Sequence, residues 1–587
     1  MCLDSEENIG QIFISARGYS LIQEDMIMKG SHIIINSLLE EGVEAFFGYP
    51  GGGVIPFFDA YYEYTGKLKF YLVRHEQAAA HAADGYARST GRVGVCVATT
   101  GPGATNLVTG IATANMDSIP MVAITGQVKS HLIGNDAFQE ADIIGVTRSI
   151  SKHNFLVKDV RDLARTLKEA FYLARSGRPG PVLVDIPTDV QNDECEFVYP
   201  EEINMRSYKP TYCGHPGQIK RAVKMLRTAK RPLLMIGGGV IASGAHKEVT
   251  ELARRLKIPV TATLMGLGGF PETDPLYIGM PGMHGTVTAN MTIQDCDVML
   301  AIGNRFDDRV TGKLDEFAPG SRIIHIDIDP TSISKNIKVD IPIVGDAKCV
   351  TEEMLKMITD DDIPDTGAWL EKIGQCRKDN PLSYGVSEKG YIKPQAVIKK
   401  LDELTKGEAV ITTEVGQHQM WAAQYFNFDK PRHLCSSGGL GTMGFGFPAA
   451  VGAAVANPDK QVICIAGDGS IQMNIQELGT ISAYNIPVKV VILNNHYLGM
   501  VRQWQELFYD RRYSATPMKN PDFIKVAGAY GVAGRMIDKQ EDVESALKEM
   551  LDHKGAYFLE VRIEPEENVY PMVPAGAAIN RMIGGMA

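Results

Sequence analysis

None of the nine cysteines of this chain (2, 96, 195, 213, 296, 349, 376, 435 and 464) forms a CxxC pair. Their scatter argues against a disulfide framework and fits a reducing compartment, so a cytoplasmic location is expected. Cys96 and Cys464 lie in apolar runs and read as small buried hydrophobes. No apolar stretch approaches the length of a membrane span. Basic charge is also scarce: 59 Lys and Arg stand against 70 Asp and Glu, a net charge of −11. With no clustered basic stripe, a nucleic-acid partner is not expected. Short repeats and low-complexity segments are absent from the sequence. The first twenty-five residues hold Asp4, Glu6, Glu7, Glu24 and Asp25 but one Arg. They lack the apolar core of a signal peptide and the acid-poor character of a transit peptide. Residues 1–26 are therefore expected to be a loose leader before a helix starting near Lys29.

What is present is length and alternation. At 587 residues the chain exceeds one core, and apolar content of 44% with 22% charged residues is ordinary for a globular protein. Three segments alternate strand-like and helix-like runs, which predicts mostly parallel sheets covered on both faces. The first, 27–195, holds strands at 43–50, 69–76, 93–100, 121–126 and 181–187. The second, 217–360, holds strands at 231–239, 258–264, 296–303 and 322–329, and an acidic linker follows at 360–365. The third, 395–570, begins with a strand at 409–416. The tail 571–587 continues an apolar, Pro/Gly-marked stretch, VYPMVPAGAAIN, and is expected to fold back over the protein rather than remain exposed.

The third segment carries the most informative spacing. Gly467-Asp468-Gly469 closes the run QVICIA, and after twenty-four residues Asn494-Asn495 closes PVKVVIL. Apolar residues at helical spacing predict one helix over 470–484, so the unit reads strand-helix-strand with parallel strands. Asp468 and Asn495 then sit at the carboxyl ends of strands, where open α/β sheets bind ligands. A carboxylate and an amide oxygen are hard ligands suited to Mg²⁺. Gly469 allows close backbone approach to a phosphate, and a helix starting at Ser470 would offer N–H donors to it. The GDG…NN spacing resembles the metal-diphosphate motif of thiamine diphosphate (ThDP) enzymes. That resemblance implies the backbone carbonyl of Tyr497 as a third protein ligand.

Glu76 follows a strand-like run and opens the helix-like stretch QAAAHAADGYAR. By itself, a carboxylate there complements a helix N-terminus. RHEQAAAHAADGYAR resembles the activating segment of ThDP carboligases, in which a carboxylate bonded to pyrimidine N1′ favours the reactive tautomer; this implies Glu76 as the catalytic group. His75 and His81 read as structural. GGLGTMGFGFPAA (438–450) reads as a tight loop into a packed helix. The resemblance implies that Gly441 and Met443 hold the pyrimidine. EVGQHQMWAAQYF (414–426) resembles the segment that brings Gln417 and His418 toward the diphosphate.

Four further stretches narrow the resemblance to the acetohydroxyacid (acetolactate) synthase family over about 27–587. They are GMHGTVTAN…NRFDDRVTGKLDEF (282–317), HIDIDPTSISKN (325–336), AFQEADIIGVTRSISKHNFLV (137–157) and YPMVPAGAAIN. The resemblance implies a pyruvate-oxidase-like architecture of three doubly wound parallel-sheet domains. In it 27–195 binds the pyrimidine, 217–360 is FAD-associated, 395–570 binds the diphosphate and Mg²⁺, and 571–587 lies over the active site. It implies the catalytic subunit: pyruvate is decarboxylated and its two-carbon unit joined to a second 2-oxo acid. Pyruvate as acceptor gives 2-acetolactate and 2-oxobutyrate gives 2-aceto-2-hydroxybutyrate. It implies a bound FAD with no net redox role, and a homodimer or higher oligomer with active sites between chains. A small regulatory subunit is a candidate partner. Arg178, His284, Gly303, Asn304, Arg305, Asp327, Ile328 and Asp346 match FAD-contact positions. The residues themselves signal FAD weakly: Gly237 to Ala242 matches G-x-G-x-x-A after a strand, but no acidic residue ends the next strand, IPVTATL.

Arg309 matches the position binding the second substrate's carboxylate; alone it reads as a surface salt bridge with Asp307 or Asp308. Trp504 matches the side chain narrowing the acceptor pocket, and Phe138, Gln139 and Val501 match its walls. Thr188 departs from the family, which commonly has Lys there near the substrate entrance. Alternative readings are a flavin-dependent pyruvate oxidase, another ThDP carboligase of this fold, and a non-catalytic cofactor-binding or regulatory protein. RFDDR and the YPMVPAG tail argue against the oxidase. Joint retention of Glu76, Asp468 and Asn495 argues against the non-catalytic protein.

Overall fold

A computed structural model describes residues 27–584 other than residue 388. The expected leader 1–26 lies outside the described residues. Three parallel sheets organise the chain. The first orders its strands Lys69–Leu72, Ala45–Tyr49, Gly94–Ala98, Met121–Gln127, Pro181–Pro187, His153–Leu156. The last orders Leu434–Ser436, Val410–Thr413, Val462–Gly467, Lys489–Asn494, Tyr557–Arg562, Ala533–Ile537. Numbered along each domain, both follow the order 2-1-3-4-6-5, although the two segments share little sequence. The central sheet has five strands: Val260–Ala262, Pro232–Ile236, Val298–Ile302, Arg322–Asp327 and Ile341–Val344. Its 2-1-3-4-5 order puts a switch point between Pro232–Ile236 and Val298–Ile302, where ligands enter open sheets. The inner strands are fully buried and mostly apolar, as in Val462–Gly467 and in Pro181–Pro187, whose one carboxylate, Asp185, accepts from Thr125 and Gln127, because helices cover both faces.

Two helices clamp the outer domains together. Glu76–Thr90 contributes a face of small residues, Ala78, Ala79, Ala82 and Ala83, to one core shared with Phe447, Ala450 and Ala453 of Gly446–Ala456. Backbones touch: a Cβ on Gly85 would lie 2.1 Å from the Ala449 carbonyl oxygen, and one on Gly452 would lie 1.8 Å from that of Ala82. Gly85 opposes Ala449 while the earlier Ala82 opposes the later Gly452, so the helices run antiparallel.

The acidic stretch read as linker forms a short 3-10 turn, Asp360–Asp362. The helix after it, Gly367–Asp379, packs on the central sheet through Trp369 and Ile373. Trp369 Nε1 donates to the Pro232 carbonyl at 3.0 Å. The tail does fold back. Val573 N donates to the Met283 carbonyl at 2.8 Å, Lys313 N donates to that of Ala577 at 3.0 Å, and Met572, Ala578 and Ile579 are buried.

Candidate functional site

The adjacent parallel strands Val462–Gly467 and Lys489–Asn494 pair Gly467 with Leu493. Asp468 and Asn495 therefore emerge side by side just past the strand ends, both buried. They line a cavity of about 80 Å³ with Gln417, His418, Met443, Gly467, Gly469, Ser470, Tyr497 and Val501. Burial pushes the Asp468 carboxyl up to about 6, opposed by a hydrogen bond from Asn520. Asn520 Nδ2 donates to Asp468 Oδ2 at 2.6 Å and to Asn494 Oδ1 at 3.0 Å. Among the described residues no cluster of three or more His, Cys, Asp or Glu is placed to hold a metal. The candidate set is one carboxylate, one amide oxygen and one backbone carbonyl, which suits a hard ion that retains phosphate and water ligands.

Burial holds His418 neutral, its imidazole pushed down to about 3, and its Nε2 is buried without a protein partner. A Cβ on Gly467 would come within 2.7 Å of the His418 ring, so only glycine lets the strand end and the imidazole coexist. Gln417 ties the site to the segment leading into the tail: its Nε2 donates to Gln503 Oε1 at 2.9 Å and to the Glu567 carbonyl at 2.8 Å. These features fit a diphosphate-metal group, with a spare buried nitrogen and a backbone cradle facing one cavity.

The helix expected over 470–484 is interrupted. A 3-10 segment, Ile471–Glu477, breaks at Asn474 (φ −130°, ψ 28°) before the α-helix Leu478–Ala483. The Asn474 side chain donates to the Gly444 carbonyl at 2.6 Å. Its amide fastens the glycine-rich loop, at the expense of regular helix. Gly441 in that loop takes φ +69° and is exposed, outside the cavity lining.

Glu414 went unnoticed in the sequence. It directly follows strand Val410–Thr413, is fully buried, and accepts N–H bonds from Gly444 at 2.7 Å and Phe447 at 3.0 Å. Burial pushes its carboxyl up to about 7. A second strut was also missed. Buried Arg88 pairs with Asp84 and with Asp117 and donates to the Ser436 carbonyl, while Asp117 accepts from Gly438 N and Gly439 N. Arg88 and Asp84 share the helix Glu76–Thr90, four residues apart, but the strut's other partners, Asp117 and Ser436, and both partners of Glu414 lie in other elements, so the struts are not visible along the sequence.

Glu76 opens its helix as expected, after a strand that ends earlier, at Leu72. Its Oε2 accepts from Asn106 Nδ2 at 2.9 Å, and its Oε1 faces Gly103. Gln139 lies on the same side: its carbonyl accepts from Thr100 Oγ1 at 2.9 Å and its φ is +61°. Phe138 is 88% exposed. None of these three lines the Asp468 cavity of its own chain.

A second cavity, of about 260 Å³, opens at the central switch point. Seven of the eight FAD-position residues line it: Arg178, Gly303, Asn304, Arg305, Asp327, Ile328 and Asp346. Gly237, Gly238 and Gly239 complete its floor, and a Cβ on Gly237 would meet the Gly303 carbonyl oxygen at 2.3 Å. Asn304 Nδ2 is buried there and unpartnered. The acidic residue absent from the second central strand arrives from the fourth: Asp327, pushed up to about 6 by burial. The eighth residue, His284, does not line this cavity; it is buried with its imidazole against the Pro571 backbone, and its carbonyl accepts from Gln424 Nε2 at 2.9 Å.

Arg309 is 61% exposed and lies 3.8 Å from Asp308, so within this chain the surface ion pair is what is seen. Trp504 packs against Phe508, ring centroids 5.4 Å apart, and does not reach the Asp468 cavity. Val501 does, while remaining half exposed. Thr188 Oγ1 donates to the Gln127 carbonyl at 2.8 Å, so this hydroxyl is engaged within its own domain. No described helix is long and apolar enough to cross a membrane.

Three family models match in register with these sheets. The thiamine pyrophosphate enzyme N-terminal TPP binding domain covers 28–146, the central domain 219–355 and the C-terminal TPP binding domain 414–561. The acetolactate synthase large subunit of Haemophilus influenzae is 51% identical over 563 residues, 95% of this chain and 98% of that protein. The Escherichia coli acetolactate synthase isozyme 3 large subunit is 51% identical over 567 residues, with the same coverage. The probable acetolactate synthase large subunit of Methanocaldococcus jannaschii is 50% identical over 566 residues, 95% of each chain. This chain belongs to the thiamine pyrophosphate enzymes and, among them, to the acetolactate synthase large-subunit family.

Proposed function

We propose that this chain catalyses the joining of two 2-oxo acids, decarboxylating pyruvate and transferring its two-carbon unit, in the first common step of branched-chain amino-acid biosynthesis. The observation that carries the reading is the convergence of Gln417, His418, Asp468, Asn495 and Tyr497 on one buried cavity at paired strand ends. Asp468, Asn495 and the Tyr497 carbonyl would hold Mg²⁺, and Gly467, Gly469, Ser470, Gln417 and His418 would surround the diphosphate. Bound thiamine diphosphate supplies an electron sink for the carbon from which CO₂ leaves. Glu76 would hold a proton at pyrimidine N1′, and Gly441 and Met443 would support that ring. Seven glycine-cavity residues, Arg178 to Asp346, would hold FAD as a structural group, with His284 acting from the tail side. Residues 27–195, 217–360 and 395–570 are the corresponding pyrimidine, FAD-associated and diphosphate domains, with 571–587 closing toward the active site.

The antiparallel clamp supports a reading of the assembly. Glu76 lies nine residues before Gly85, and the loop at Gly441 lies beyond the other end of the contact. At 1.5 Å rise per residue, Glu76 stands roughly 20 Å from its own loop. That separation supports a homodimer in which a second copy supplies the loop facing Glu76, with sites between chains. The exposed Phe138, with Gln139 beside it, fits a wall donated to that partner's cavity, where it would meet the partner's Val501; Arg309 and Trp504 would complete the acceptor pocket. We extend the reading to 2-oxobutyrate as a second acceptor, a small regulatory subunit and a cytoplasmic location. The test is product analysis on purified protein supplied with thiamine diphosphate, Mg²⁺ and FAD. 2-Acetolactate should form from pyruvate alone, and 2-aceto-2-hydroxybutyrate when 2-oxobutyrate is added, without any electron acceptor. Pyruvate consumption that requires an electron acceptor would instead identify an oxidase.

A further inference from the structure

Outside the two cavities, one pair of side chains is brought together that neither cavity uses. Cys213 and Cys349, 136 residues apart in the chain, have their Sγ atoms 3.4 Å apart, and both are free thiols. Cys213 is exposed; Cys349 is half-buried behind it, near the start of the helix Ala347–Met357. The backbone on each side is fixed. Asp346 caps the helix, accepting from Lys348 N and Cys349 N, and its own N–H donates to the Tyr212 carbonyl at 2.7 Å. Gly214 lies flat on the next layer, where a Cβ would meet Ile343 at 2.7 Å and Val350 at 2.9 Å. The two sulfurs are thus held face to face by structure that does not depend on a bond between them. Tyr212, next to Cys213, and Asp346, whose carboxylate accepts from Cys349 N, both line the 260 Å³ cavity.

We propose that Cys213 and Cys349 form a redox-active dithiol, converted by low-molecular-weight disulfides into an intramolecular disulfide that latches segment 212–214 to the Ala347–Met357 helix at the cavity wall. The exposed Cys213 thiolate attacks one sulfur of the oxidant; its S–S bond breaks and one small thiol leaves. Cys349 then gives up its proton and attacks the Cys213 sulfur, forming the protein disulfide and releasing the second small thiol. Two protein thiols are oxidised and one small disulfide is reduced to two thiols. Burial and the neighbouring sulfur raise the Cys349 thiol, which agrees with Cys213 acting first. Such a bond in a reducing compartment would be a reversible sensor rather than a permanent staple.

The experiment treats the holoenzyme with glutathione disulfide and maps its peptides by mass spectrometry. The expected result is a single 213–349 crosslink, reversed by dithiothreitol and absent from both Cys213→Ser and Cys349→Ser. A stable glutathione adduct on Cys213, or two unchanged thiols, would overturn the pair. Because the latch rests on the cavity holding FAD, flavin release is followed by fluorescence on the same samples. It should slow several-fold on oxidation in the wild type and not in the Ser variants. A crosslink with unchanged release overturns the latch. Failure of FAD to bind in either redox state counts against the cofactor assignment, and the crosslink map is read independently of it.

Discussion

Glu76 has little work to do within its own chain: one hydrogen bond from Asn106 and a place at a helix start. If it activates the pyrimidine, Glu76→Gln should retain thiamine diphosphate and lose at least tenfold in kcat, the equivalent of ~1.36 kcal/mol. A kcat within about threefold of wild type, by the acetolactate assay, would remove Glu76 from the chemistry. Glu414 makes a different prediction. Its carboxyl is raised from the ordinary 4.5 to about 7 by burial. The folded protein holds that proton where the unfolded chain has lost it. The contribution to stability is therefore complete below pH 4.5 and disappears as pH rises through about 7. Glu414→Gln cannot ionise, so its unfolding midpoint should fall less between pH 5 and 7.5 than that of the wild type. Equal falls in the two proteins would mean that Glu414 ionises as freely when folded as when unfolded.

At the scale of elements, glycine in a helix has opposite meanings at two places. Gly452 is pressed against the Ala82 carbonyl, whereas Gly374, in Gly367–Asp379, has nothing within 4 Å of its missing Cβ. Gly452→Ala should destabilise by about 1–3 kcal/mol because the added methyl forces two backbones apart. Gly374→Ala should stabilise by about 0.4–1 kcal/mol by restricting the unfolded chain. Thermal unfolding of both variants checks the sign; a stabilised Gly452→Ala would mean that the helices are not locked in contact. This contrast also marks what could be read beforehand. Strands and their ends were legible because apolar runs stop at glycine or polar pairs, as at Gly467-Asp468-Gly469 and Asn494-Asn495. The break at Asn474 was not, because periodicity records which face is apolar and not that one amide bonds a distant loop. Asn520, Glu414 and the link from Arg88 to Asp117 and Ser436 escaped for the same reason: those partners are near in space and far in sequence. Asp327 was expected in the cavity only by resemblance, because the acid was sought on the second central strand and comes from the fourth.

For the whole molecule, the outer domains repeat one strand order and are joined through the helices Glu76–Thr90 and Gly446–Ala456. The proposed dimer, with its active sites between chains, has a consequence for mixed populations of subunits. Consider a protein carrying Glu76→Gln and another carrying Asp468→Ala, each inactive as a homodimer. In a dimer of one of each, one active site inherits both lesions and the other inherits neither. With random pairing, half the dimers are mixed and half of their sites are whole, so two dead preparations should together recover about a quarter of wild-type activity. Dissociating, mixing and reassociating the two variants before the acetolactate assay measures this directly. No recovery from a demonstrably mixed dimer would mean that each chain completes its own site. In a cell carrying both alleles, damage to one half of the site would then be masked by damage to the other, and the two mutations would behave as if they lay in different genes.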